Sequence, residues 1–144
     1  VVCAFTISPQ QVIDAYEHGT ASLAGRLAGA KAAMEHGFSV RLCFDPMIYC
    51  NDWKNHYDAM LAQVCGTLDL EKLSDVSVGT FRISQDYLKK MRKNEPDSAV
   101  VQFPYQNDSG VYHYPTALME AMEQYMTEKL AAYLPAERIF RWKE

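Results

Sequence analysis

Three times in succession, a short run rich in β-branched and aromatic residues gives way to a longer run with helical spacing. This alternation restricts the chain more than any other feature. The first unit is "VVCAFTIS", ending before Pro9, followed by "SLAGRLAGAKAAMEHG", where Leu23, Leu27, Ala30 and Met34 recur on one helical face up to a glycine stop at Gly37. The second is "FSVRLCFD", stopping at Asp45-Pro46, then a helical run from about Trp53 to Cys65 with Tyr57, Met60, Leu61 and Val64 on one face. The third is "DVSVGTFRIS" followed by "QDYLKKMRK". Strands that each lead into a helix predict an α/β fold with parallel pairing and crossover helices. After Pro96 the pattern changes: "AVVQFPYQNDSGVYHYP" predicts a hairpin around Asn107-Asp108-Ser109-Gly110. A helix from about Thr116 to Tyr133 and a short strand, "RIFRWK", follow.

Strand parity adds a second restriction, because neighbouring residues point to opposite faces. Val40, Leu42 and Phe44 face one way and Arg41, Cys43 and Asp45 the other; Phe5 and Ile7 oppose Ala4, Thr6 and Ser8. One face is greasy and suits packing under helices, while the other is small or polar. A parallel sheet inside a doubly wound domain is apolar on both faces. The polar face therefore predicts a barrel or partial barrel whose lumen holds a ligand, with the working groups at the carboxyl ends of the strands. Asp45, Pro46 and Cys50 all fall at such an end.

Composition narrows the function classes. At 144 residues the chain can bury a core, and its start at Val1 without a methionine reads as a piece of something longer. A net charge of −4 and an apolar share of 49% suit a soluble cytoplasmic domain and provide no global basic field for nucleic acid. No apolar run approaches the roughly 18 residues of a membrane span, and no signal peptide is visible. Cysteines 3, 43, 50 and 65 lack the close spacing of a zinc or iron–sulfur site and read as reduced thiols, with Cys3 and Cys65 in the core. The four histidines show no ligand spacing.

"TISPQQVIDAYEHGTASLAGRL", "GFSVRLCFDPMIYCNDW" and "VSVGTFRIS", in this order, resemble the spore photoproduct lyase family of radical S-adenosylmethionine enzymes. The most specific element is E-x-G-T-x-x-L-x-x-R, here Glu17, Gly19, Thr20, Leu23 and Arg26. The resemblance implies an α/β fold forming the second half of an open (β/α)6 partial TIM barrel, strands four to six, with a C-terminal β-hairpin and helix. Residues 1–95 would be the barrel half, and 96–144 the hairpin, helix and short strand packed on it. The family's CxxxCxxC loop, which binds a 4Fe-4S cluster, is absent here. The cluster would belong to the N-terminal half of the same barrel, leaving no metal site in this chain.

Carried over residue by residue, the resemblance assigns S-adenosylmethionine binding to Thr6, where the family has a serine, with Ser8 one step further along that face. Asp45 at the end of the fifth strand, and Gly79 and Arg82 on the sixth, complete the expected cofactor set. Gly79 would allow close approach to the backbone and Arg82 a paired hydrogen bond to an anion. Plain structural readings stand beside these: a strand end before Pro9, a turn-forming Asp, a bulge glycine and a surface arginine. Cys50 is the one catalytic candidate, because a weak S–H bond suits return of a hydrogen atom. The family's donor cysteine lies upstream, so Cys50 does not match it, and an inert thiol is the default.

In the family the hairpin is basic and helps hold DNA with the lesion turned out of the stack. Here the tip reads "QNDSG", with Asp108 where a cation would serve. Tyr105, Tyr112 and Tyr114 remain as candidate substrate-stacking residues, and Lys89, Lys90, Arg92 and Lys93 as phosphate partners or as a solvated helix end. The implied function is a radical lyase that uses a 5′-deoxyadenosyl radical to repair a thymine-derived DNA lesion by C–C bond cleavage. DNA, an electron donor and the other barrel half would be its partners. A radical enzyme with another substrate and a non-catalytic nucleic-acid-binding module are the alternatives.

Overall fold

The computed structural model describes residues 2–16, 20–94, 98 and 103–141. Strand β1 (Val2–Thr6) is followed by helices α1 (Gln10–Tyr16) and α2 (Leu23–Glu35), then β2 (Ser39–Met47) and α3 (Trp53–Thr67). Next come β3 (Asp75–Thr80), β4 (Arg82–Ser84) and α4 (Gln85–Asn94). The hairpin strands β5 (Gln106–Asp108) and β6 (Val111–His113), helix α5 (Thr116–Ala131) and β7 (Ile139–Arg141) complete the order. Glu17 and Gly19 of the motif, the expected boundary between 95 and 96, and residues 99–102 of the expected hairpin lie outside the described residues.

Four strands form a parallel sheet in the order β1-β2-β3-β7. The register aligns Phe5 with Leu42 and Val76 on one face, and Thr6 with Cys43 and Ser77 on the other. The apolar face carries the core: Leu27 of α2, Tyr57, Met60 and Val64 of α3, and Met122 and Met126 of α5 are at most 1% exposed in one cluster with Leu42, Phe44, Val76 and Val78. The parity reading therefore holds through Thr6, and α3 buries Tyr57, Met60, Leu61 and Val64 as its spacing predicts. Cys3 and Cys65 are only partly buried, at the margin of that core.

Local chemistry sets the helix ends. Ser22 caps α2 by accepting from the Gly25 amide at 3.0 Å. At its other end Gly37 takes φ +84°, while the Gly37 and Phe38 amides bond back to the Met34 and Ala33 carbonyls, the paired bonds of a Schellman stop. Helix α1 was not legible as a separate element. It starts directly after Pro9 and buries Val12 and Ile13 within seven residues, too short for a period to declare itself.

Two expectations require correction. Strand β2 does not stop at Asp45-Pro46 but continues to Met47, with its register to β3 shifting between Phe44 and Met47. The Asp45-Pro46 peptide is cis and lies within the irregularity, where a residue lacking an amide hydrogen is tolerated. "DVSVGTFRIS" is not one strand. It breaks at Phe81, and Arg82–Ser84 pairs antiparallel with β6 in a separate three-stranded sheet, β4-β6-β5. The last strand, β7, joins the parallel sheet beside β3, so the C-terminal part completes the first sheet as well as forming the hairpin.

Candidate functional site

The carboxyl ends of β1, β2 and β3 meet on the sheet face opposite the core. Thr6 is exposed at the end of β1. Its carbonyl accepts from Arg26 Nη1 at 3.1 Å, and the same guanidinium donates to the Ala21 carbonyl at 3.0 Å and to Thr20 Oγ1 at 3.0 Å. Arg26 and Thr20 of the sequence motif thus tie the segment before α2 to the strand end. Ser8 lies beyond the end of β1 and is buried, 2% exposed, while the Ile7 amide still reaches the Cys43 carbonyl at 2.9 Å.

Asp45, Gly79 and Arg82 do come together, although Arg82 sits on β4 rather than on the strand of Gly79. Arg82 Nη2 lies 3.3 and 3.5 Å from the Asp45 carboxylate oxygens, and Nη1 donates to the Thr80 carbonyl at 2.8 Å. A Cβ on Gly79 would stand 2.8 Å from Asp45 Oδ2 and 3.0 Å from Arg82 Nη1. The missing side chain therefore seats the ion pair against the backbone. Thr80 is anchored from the opposite side: Glu123 of α5 accepts from its amide at 3.3 Å and its hydroxyl at 3.0 Å, and from Arg141 Nη2 at 3.3 Å. Glu123 was missed in the sequence, although an acid on the stripe Met119, Met122, Met126, Leu130 is itself a signal of a buried polar partner.

Cys50 lies in the loop after β2, partly buried against the pair Val12 and Ile48, on which Phe81 also packs. The loop is fixed just before it: the Ile48 amide donates to the Tyr57 hydroxyl at 2.9 Å and the Tyr49 amide to the Tyr114 hydroxyl at 2.8 Å. Burial raises the thiol pKa above its ordinary 9.0, and the Asp52 charge raises it further, so Cys50 is held as S–H at neutral pH.

The three tyrosines divide. Tyr105 and Tyr114 are 8% and 1% exposed and pack with Phe103, Phe81 and Tyr49, centroids 4.9–6.4 Å apart. That burial places them in the core beneath the hairpin rather than on an open stacking surface. Tyr112 is half-buried, and the Arg92 guanidinium lies 5.7 Å from its ring centroid. His113, given no role from its spacing, is buried between two acceptors: Nδ1 faces the Tyr114 carbonyl at 2.7 Å and Nε2 the Asp108 carboxylate. Asp108 is therefore paired with a buried histidine ring rather than standing as a bare charge at the tip.

Among the described residues, no three His, Cys, Asp or Glu side chains gather as metal ligands, and no helix is long and apolar enough to cross a membrane. The four cysteines are separate and unbonded. They do not fit a 4Fe-4S cluster.

A four-stranded parallel sheet with helices on one face, and polar groups at its strand ends on the other, defines an α/β protein with a carboxyl-end site. Its family follows from direct comparison: the model for spore photoproduct lyase matches residues 2–142, and the chain belongs to that family. Among solved structures, a spore photoproduct lyase mutant with bound AdoMet and dinucleoside spore photoproduct is 19% identical, with a TM-score of 0.80 over 97% of this chain. Spore photoproduct lyase complexed with dinucleoside spore photoproduct is 20% identical, with a TM-score of 0.75 over 97% of this chain. In both cases this chain spans 43% of the solved chain's length, and the likeness shows the shared fold. No curated protein matches the chain.

Proposed function

We propose that this chain is the second half of an open (β/α)6 barrel in a radical S-adenosylmethionine lyase that repairs a thymine-derived DNA lesion by C–C bond cleavage. The observation that carries this reading is family membership over residues 2–142, in a fold whose solved relatives include one with AdoMet and the dinucleoside spore photoproduct bound together. S-adenosylmethionine supplies the radical chemistry when bound, and the 4Fe-4S cluster and electron donor belong with the barrel's N-terminal half.

The residues present fit a polar cofactor on the open sheet face. Thr6 is an exposed residue in register with Cys43 and Ser77, and Arg26 fixes the Thr6 carbonyl so that the strand end holds one geometry. Asp45 and Arg82 lie at the same rim as an ion pair, each about a quarter exposed or less, and accept or donate toward polar groups of cofactor or substrate. Cys50 is the candidate hydrogen-atom source of this chain, packed against Val12 and Ile48 and kept protonated. Tyr112, half-buried on the strand next to the turn, is the tyrosine we assign to contact with a base.

The test takes the protein together with the N-terminal half of the barrel, reconstituted anaerobically with iron and sulfide. It is incubated with S-adenosylmethionine and dithionite and assayed for 5′-deoxyadenosine with and without lesion-bearing DNA. Formation that rises with that DNA, and falls in Thr6→Ala, supports lesion repair. Formation indifferent to the DNA refutes the substrate, and none at all with an intact cluster refutes the enzyme.

A further inference from the structure

We propose that the exposed face of α4, carrying Lys89, Lys90 and Lys93, is the surface on which this chain holds the phosphate backbone of duplex DNA, in place of the hairpin tip. The inference rests on the DNA reading above and names where that partner is held.

The hairpin cannot supply the cations. From Phe103 to Pro115 it contains no lysine or arginine, and its one acid, Asp108, is bound to His113. Four of the chain's 14 basic residues instead fall within residues 89–93, in a chain of net charge −4. Helix α4 sorts them: Leu88 is buried and anchors the helix, while Lys89, Lys90 and Lys93 are all exposed. Spacings of three and four residues place these three on one face. None of the three is in an ion pair among the described residues, whereas Arg92 is engaged with the Phe103 carbonyl at 2.9 Å and with the Tyr112 ring. Tyr87, three residues before Lys90, is 61% exposed and adds an aromatic edge to the same face.

The helix is also tied to the site. Its first residue donates from the Gln85 amide to the Gly110 carbonyl of the hairpin turn at 2.8 Å, and Asn107 Nδ2 reaches Gln85 Oε1 at 3.3 Å. The strand leading directly into it, β4, carries Arg82, paired with Asp45 at the strand-end rim. Cations placed on α4 therefore hold a duplex in fixed relation to hairpin and rim without touching the bases, the role of phosphate contacts in positioning.

The experiment measures affinity for an undamaged and a lesion-bearing duplex over a salt series. It compares the wild-type protein, joined to its barrel partner, with the triple variant Lys89→Gln, Lys90→Gln, Lys93→Gln and with the triple Lys→Arg variant. Each neutralised phosphate contributes about −0.9 to the slope of log K against log salt, so the Gln variant should lose roughly 2.7 units of slope. From 50 to 200 mM salt, those three contacts account for about a 40-fold fall in wild-type affinity that the Gln variant does not show. The Arg variant should keep the wild-type slope. An unchanged slope in the Gln variant overturns the proposal and leaves the lysines as cations of a solvated helix end. If the wild type turns over a dinucleoside lesion but shows no salt-dependent duplex binding, the α4 surface is refuted while the repair reading stands. If it binds duplex through these lysines yet repairs no lesion, the surface stands and the repair reading falls.

Discussion

Replacing Gly79 with Ala tests whether the ion pair at the strand ends is seated by the absence of a side chain. The backbone at Gly79 has no positive φ, so an alanine adopts it without strain, and any cost comes from contact. The new Cβ would stand 2.8 Å from Asp45 Oδ2, 2.9 Å from its Cγ and 3.0 Å from Arg82 Nη1, so the whole carboxylate moves and the guanidinium follows. Moving Asp45 forfeits a partly exposed pair with contacts of 3.3 and 3.5 Å, worth about 0–1 kcal/mol. Moving Arg82 strains its 2.8 Å bond to the Thr80 carbonyl, worth about 1–1.5 kcal/mol. The reduced freedom of the unfolded chain returns about 0.4–1 kcal/mol, leaving a net destabilisation of roughly 0–2 kcal/mol. With Asp45→Ala already in place the two closest obstacles are gone and only the end of the flexible Arg82 side chain remains, so the same substitution should cost less, becoming neutral or stabilising by up to about 1 kcal/mol where that side chain gives way. Urea unfolding of the wild type, both single variants and the double variant, read as midpoints at constant m, closes the cycle. An equal penalty for Gly79→Ala in both backgrounds would refute the reasoning, because the cost would then arise elsewhere than at the Asp45–Arg82 pair.

Glu123→Ala should cost about 3–5 kcal/mol, since it strands a fully buried Thr80 amide and hydroxyl and removes the partner of Arg141, whereas Glu123→Gln should retain part of that bonding and cost about half as much. Chemical denaturation distinguishes the two, and equal losses would show that the amide oxygen and packing kept by Gln contribute nothing, leaving the carboxylate's charge to carry the whole effect. For Cys50, alkylation by iodoacetamide followed by peptide mass spectrometry should reach half its limiting rate at a pH above the ordinary thiol value of 9.0. Because the folded pKa is raised, the stability this thiol contributes is complete below about pH 9 and is lost as pH rises through the folded value. Asp52→Asn should move that midpoint down only in part, because burial is the larger cause; a midpoint at or below that of an exposed cysteine would remove the shielding argument.

The sequence alone determined what lies within single elements. The β/α alternation, the glycine stop at Gly37, the buried stripe Tyr57, Met60, Leu61 and Val64, and the polar partner face of β1 and β2 were all legible, because spacings of two, three and four residues encode which side of one element faces the core. The family resemblance was legible for a related reason: its motif is local, and Thr20 and Arg26 meet within six residues. Only the tertiary structure decided the break of the third strand run at Phe81, the pairing of Arg82 with Asp45, the grip of Glu123 on Thr80 and the burial of Tyr105 and Tyr114. The Arg82 and Glu123 contacts join residues 37 and 43 positions apart. No period within an element specifies such a partner. It is fixed when burial of the apolar faces brings separate elements together and every polar group trapped between them must find a hydrogen bond.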